Sequence, residues 1–278
     1  MWLLLLFVVP FYVLLSIAFG RLDPLFLTPI PVYDPIRWDL STFGQTLGQV
    51  FADGSIYRAA MARTFVYVGI STALCLAIGY PVAYLTARHA GRWRGVLLVA
   101  ILAPFWISYM MRMLAWVNVL RPAGYVNDIL LWLGLIDRPV AWLGGKPITV
   151  ILGLTYGYVP FMILPLFAGL DRISAETIEA SRDLGAGQVS TFRRVTLPLS
   201  RQAILAGLIL VMLPMFGDYY TQTLLAGTRD TSMLGNLIVS SIHSSLVQTG
   251  ASLVLVLMAL LIAPMLYYLR ASRSGVVT

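Results

Sequence analysis

The chain has 278 residues, 59% of them hydrophobic and only 11% charged, with a mean hydropathy of +0.84. Soluble domains carry about twice that charge, so the composition excludes an ordinary soluble protein and points to an integral membrane protein. The net charge of +7 does not indicate nucleic acid as a partner, because the basic residues gather between apolar runs and no basic segment interleaved with aromatics is present.

Six apolar runs, each near the roughly 20 residues that cross a bilayer, predict an all-α protein with spans at residues 2–19, 60–87, 96–120, 148–170, 202–225 and 252–269. The first run has no basic leader and no A-x-A-like site before the polar turn at 21–23, so it reads as a retained helix rather than a cleaved signal. Whether the native N-terminus is longer stays open. Segments 21–58 and 121–147 contain Pro, Gly and Trp and predict compact surface structure. Residues 233–246 predict a further short surface helix. Cys75 stands alone inside a span, so neither a disulfide nor a Cys-rich metal site is available. No internal repeat is visible, and the chain reads as a single transmembrane domain, 1–278.

Six spans put both termini on one side. The loops on that side and the tail hold Arg88, Arg92, Arg94, Arg172, Arg182, Arg193, Arg194, Arg201, Arg270 and Arg273. The opposite loops hold Arg21, Arg37, Arg58, Arg121, Arg138, Lys146 and Arg229. The bias, clearest in the short segment 88–94, places both termini in the cytoplasm.

The loop 171–201 is then cytoplasmic, and it is polar in a chain built for lipid. Ser174 reads as an N-cap with Glu176 in the first turn, and Gly185 suits the position after a helix end that needs positive φ. This predicts a helix over 175–184, on which Glu179 and Arg182 pair, then a second short helix over 189–196 that Pro198 stops. The residues alone leave two readings open: a helical hairpin packed on the membrane face, or a docking site. In the second, Ala175, Ala180 and Ala186 allow close approach and Phe192 is an aromatic anchor.

Glu179, Ala180 and Ser181, then Gly185, then Val195, Leu197 and Pro198 follow a fixed spacing. In it the loop resembles the EAA loop of permease subunits of binding-protein-dependent ABC importers: E-A-A, three residues, Gly, nine residues, Ile, one residue, Leu-Pro. Ser replaces Ala and Val replaces Ile. The stretches PFWISYMMRMLAWVNVLRPAGYVNDILLWLG, YGYVPFMILPLFAGL and GDYYTQTLLAGTRDTSMLGNLI resemble the spermidine/putrescine subgroup of these permeases. The resemblance implies a type I importer permease fold in the plasma (inner) membrane, with 171–201 as a coupling loop seated in a cleft of a cytoplasmic ATPase. It implies Glu179, Ala180, Ser181, Gly185, Phe192, Leu197 and Pro198 as coupling residues. It also implies a second permease subunit, read as a paralogue, two ATPase subunits and an extracytoplasmic binding protein for polyamines. The chain has no G-x-x-x-x-G-K-[ST] motif, so ATP and Mg belong to the separate ATPase and no cofactor is expected here.

Arg63, Arg112 and Asp218 fall inside predicted spans, where a charge must face protein or water. Arg63 lies near a span end and reads as snorkelling. Asp218 follows Pro214 and Gly217, which together suggest a helix break, and precedes Tyr219 and Tyr220. A carboxylate beside tyrosines suits an ammonium, and Trp106, Tyr109, Tyr156 and Tyr158 are candidates to line the same path. Packing is the competing reading for each aromatic, and a structural pair with Arg112 the competing one for Asp218. An ion-coupled transporter or channel, with Asp218 carrying the ion, is the alternative function. An intramembrane enzyme is disfavoured, since His89, His243 and Cys75 form no nucleophile–base pair.

Overall fold

A computed structural model describes residues 2–23 and 29–274. The chain begins with α1, Trp2–Ala18, followed by a two-stranded antiparallel ladder, β1 Arg21–Leu22 against β2 Pro29–Ile30. The reading of only helices missed this ladder, which is too short to carry a periodic signal. A 3₁₀ turn at Pro35–Arg37, capped by the Asp34 carboxylate on Ile36 N at 3.1 Å, leads to α2, Ser41–Phe51.

The helices α3, Ile56–Arg88, and α7, Pro147–Asp171, form the centre. Ser55 caps α3 through Tyr57 N at 3.2 Å, and Pro147 starts α7, where the missing N–H costs nothing. Between them run α4, Arg94–Leu102, α5, Tyr109–Val119, and α6, Tyr125–Trp132. After α7 come α8, Ala175–Asp183, α9, Gln188–Thr191, a π turn at Phe192–Thr196, and α10, Leu197–Leu199. The chain ends with α11, Arg201–Phe216, α12, Tyr220–Leu225, α13, Leu234–His243, and α14, Val247–Ser274.

Helix α3 packs along α7, and α11 lies against both. Apolar surface alone gives little drive between helices in lipid, so polar contacts matter: Ser71 Oγ donates to Ile151 O at 3.2 Å and Cys75 Sγ to Thr155 O at 3.5 Å. Fully buried Leu154, Met162, Leu166 and Met215 fill the seam. The helix predicted at 233–246 is α13, joined to α3 by Leu234 N on Thr64 Oγ1 at 2.8 Å. Segment 121–147 is knit by buried Asn127, whose amide donates to Arg121 O, Pro122 O and Val140 O and accepts from Val140 N and Trp142 Nε1.

The expected spans differ from the helices in three places. Three helices among the described residues are long and apolar enough to cross a membrane, and five spans result if two bent pairs each count as one. The run 96–120 is not one helix: it bends by 88° between Gly91–Trp106 and Tyr109–Val119, where Pro104 cannot supply an N–H. The run 202–225 stops at Phe216 and restarts at Tyr220, at the break that Pro214 and Gly217 suggest. The first helix, of 17 residues, is shorter than a usual span. Arg63 does not snorkel freely; its Nη1 donates to Asp230 O at 2.8 Å and ties α3 to the turn before α13.

Candidate functional site

Two places carry the residues singled out above: the polar unit after α7 and the break between α11 and α12.

In the polar unit, Ser174 Oγ accepts from Thr177 N at 3.2 Å and starts α8. The helix ends as a two-bond C-terminal cap: Gly185 N donates to Arg182 O at 2.8 Å and Ala186 N to Ser181 O at 3.2 Å, with Gly185 at φ +84. Glycine adopts this conformation without a Cβ penalty. Ser181 Oγ meets Thr191 Oγ1 at 3.2 Å, which folds α9 back onto α8. Glu179, Ala180 and Gly185 face outward. Glu179 and Arg182 form no ion pair among the described residues.

Phe192 does not point away from the chain. Its ring stands edge-on to Tyr80 and Tyr84 of α3, with centroids 5.7 and 5.9 Å apart. The second helix runs on through Leu197 and stops at Leu199, one residue past Pro198, and the direction changes by 61° before α11. Both roots of the unit fasten to α3. Arg88 Nη2 donates to Leu170 O and Ile173 O at 2.8 Å each, and Tyr80 Oη meets Ser200 Oγ at 2.9 Å. The apolar side chains most exposed in the unit are Leu184, 90% exposed, and Val189, 71% exposed. The sequence reading passed over both, although an isolated Leu before the capping glycine is a usable signal.

At the second place, the Asp218 carboxylate is buried and saturated. Thr221 N donates to Oδ1 at 2.9 Å, capping α12, while Thr221 Oγ1, Tyr109 Oη and Tyr158 Oη donate to Oδ2 at 3.0, 2.7 and 3.1 Å. Three elements, α5, α7 and the α11–α12 break, thus meet on one carboxylate. The pairing with Arg112 is not formed among the described residues. The Arg112 guanidinium lies instead over the rings of Phe105 and Tyr109, 4.0 and 5.3 Å from their centroids.

The other aromatics separate. Tyr219 and Tyr220 stack on each other at 4.1 Å and are not among the donors to Asp218. Tyr156 packs on Trp116 at 5.2 Å, and Trp106 is 82% exposed. What makes room for the cluster is a pair the sequence reading missed, Gly153 and Gly157, one turn apart on α7. A Cβ on Gly157 would lie 2.7 Å from Tyr109 Cε2, and one on Gly153 would lie 2.6 Å from Thr221 Cγ2. The small-x-x-x-small spacing that lets membrane helices approach was legible in GLTYG.

Residues 77–272 match the family model described as the binding-protein-dependent transport system inner membrane component. The spermidine/putrescine transport system permease protein PotB of Escherichia coli (strain K12) is 37% identical over 205 residues, covering 73% of this chain and 74% of that protein. PotB of Haemophilus influenzae (strain ATCC 51907 / DSM 11121 / KW20 / Rd) is 36% identical over 225 residues, covering 78% and 76%. Among solved structures, a chain of a bacterial ABC transporter involved in the import of the acidic polysaccharide alginate superposes with a TM-score of 0.67. It is 19% identical and covers 98% of this chain and 91% of its own, which shows a shared fold. The family match over most of the chain, with relatives above a third identical, shows that this protein belongs to the inner membrane permease components of binding-protein-dependent ABC importers.

Proposed function

We propose that this permease forms half of the channel of an ATP-driven importer for polyamines, delivered by an extracytoplasmic binding protein. The observation that carries the reading is the polar unit 171–201: a capped helix, a positive-φ glycine and a folded-back second helix, rooted on α3 and presenting Leu184 and Val189 outward. A loop meant only to connect two spans needs no such construction. We read it as the coupling element that fits an ATPase subunit, with Glu179, Ala180, Ser181, Gly185, Leu197 and Pro198 shaping or contacting the joint and Phe192 bracing it from within.

In this reading α1, α3, α4–α5, α7, α11–α12 and α14 are six spans of one domain with a type I importer fold, and both termini are cytoplasmic. A second permease subunit, a paralogue, completes the channel, and two ATPase subunits bind ATP and Mg. The polyamine class rests on the relatives named for spermidine and putrescine transport. Asp218, Tyr109 and Tyr158 are the proposed path residues, with Tyr156, Tyr219, Tyr220 and Trp106 around them. A passing ammonium replaces the tyrosine hydroxyls on the carboxylate, a weak and exchangeable site of the kind conduction needs.

The test is reconstitution of the chain with its companion permease, ATPase and binding protein in proteoliposomes. Spermidine uptake that requires both ATP and the binding protein is expected. Uptake driven by an ion gradient, with the ATPase omitted, would instead establish the secondary-transporter reading.

A further inference from the structure

Arg112 is the least satisfied charge in the described structure. It is 7% exposed, and its Nε and Nη1 are buried without a hydrogen-bond partner. Arg63 and Arg88 each leave Nε unpaired too, but both spend another nitrogen on backbone carbonyls. Ring faces at Phe105 and Tyr109 soften the field around Arg112 without accepting its hydrogen bonds. A buried guanidinium left this way is strongly destabilising unless an acceptor arrives.

Its surroundings indicate the acceptor. Arg112 lines a cavity of about 490 Å³ whose other walls include Pro104, Ile107, Met111, Ala115 and Tyr156. The cavity runs along one side of α5, past Met111, Arg112, Ala115 and Trp116 to Val119. An unpaired guanidinium and apolar walls together form a receptor for one anionic group.

Lipid is a poor cover for this place. The chain bends by 88° here, and irregular backbone at membrane depth is tolerated only against protein or water. Around the bend Trp106, Ile107 and Met111 are all more than half exposed, forming an apolar rim. We infer that this cavity receives an Asp or Glu side chain from the second membrane subunit, which pairs with Arg112 and covers the α4–α5 break. The inference rests on the proposed assembly with a companion permease.

The experiment uses the whole transporter, copurified through a tag on this chain, as wild type, Arg112→Gln and Arg112→Glu. Retention of the companion permease is expected to fall about ten-fold or more in both variants, as when one member of a buried charged pair is truncated. Replacing the companion's intramembrane acidic residues one at a time by Arg should restore retention with Arg112→Glu at one position. Expressed alone, the Arg112→Gln chain should melt no lower than wild type, since it loses an unpaired buried charge. A lower melting temperature of the lone variant assigns Arg112 to the chain's own fold and overturns the inference. So does undiminished retention of the companion, or loss of a bound acidic phospholipid, read by native mass spectrometry, with the companion retained. If the wild-type chain itself holds no companion permease, the assembly reading fails instead.

Discussion

Tyr109 links Asp218 and Arg112 without letting them touch: its hydroxyl donates to Asp218 Oδ2 at 2.7 Å, and its ring lies 5.3 Å from the Arg112 guanidinium. Asp218 is thereby a hub for α5, α7 and α12 rather than half of an ion pair. The cation beside it is left for another partner.

This relationship depends on Gly157. A Cβ there would fall 2.7 Å from Tyr109 Cε2 and 2.9 Å from its hydroxyl oxygen. Gly157→Ala should displace Tyr109 and lower stability by about 1–3 kcal/mol through overpacking. Tyr109→Phe alone should cost about 1 kcal/mol. Thermal melts of the detergent-solubilised complex should show the two changes less than additive, because they break the same hydrogen bond. Full additivity would detach Gly157 from the cluster.

Asp218→Asn keeps the shape of the side chain and removes its charge. A charge-assisted hydrogen bond is worth about 1.5–3 kcal/mol, and loss of that amount in the limiting step slows uptake roughly ten- to a hundred-fold. Spermidine uptake and melting temperature measured on one preparation separate path from scaffold. Slow uptake in a complex that melts normally supports the path role, and normal uptake refutes it. Because Arg112 does not pair with Asp218, Arg112→Gln should not rescue the variant.

Gly185→Val places a β-branched residue at φ +84, where nothing lies within 4 Å of a Cβ. The damage is conformational rather than steric, about 1–2 kcal/mol or more for a left-handed non-glycine residue. Uptake should collapse while membrane insertion survives. Gly185→Asn, whose side chain tolerates this region, should keep most of the activity. Equal loss in both variants would locate the effect outside the backbone conformation.

Leu184 and Val189 are the most exposed apolar residues of the polar unit. Replacing both by Ser should leave the melting temperature of the isolated chain unchanged. ATPase capture should weaken about ten-fold, equivalent to ~1.4 kcal/mol. Capture at the wild-type level would mean that the ATPase meets a different surface.

The membrane orientation is open to thiol labelling, because the native Cys75 is buried. An impermeant maleimide added to sealed cells should label Ile36→Cys, which replaces a 94% exposed residue, and should miss Leu184→Cys. Labelling of both from outside would reverse the topology of the polar unit.

The sequence alone determined the class of structure and its grammar. Apolar runs of span length can only be helices in lipid, so α3, α7 and α14 were legible, α7 to within one residue at each end and α14 five residues short at each end. Ser174, Glu176 and Gly185 specified α8 and its turn because capping is a local interaction between residues three to five positions apart. The spacing from Glu179 to Pro198 carried the family for the same reason. Tertiary structure decided everything that depends on which faces meet. It turned Phe192 inward onto Tyr80 and Tyr84 and left Leu184 and Val189 outside. It bent the run 96–120 by 88°, where hydropathy is blind to backbone direction, whereas the break in 202–225 was legible in Pro214 and Gly217. It also gave Asp218 to Tyr109, Tyr158 and Thr221 rather than to Arg112, because two glycines on α7 let α5 and α12 approach that closely. Residues 60 and 109 positions away from Asp218 share its oxygen, and no local pattern encodes a contact over such separations.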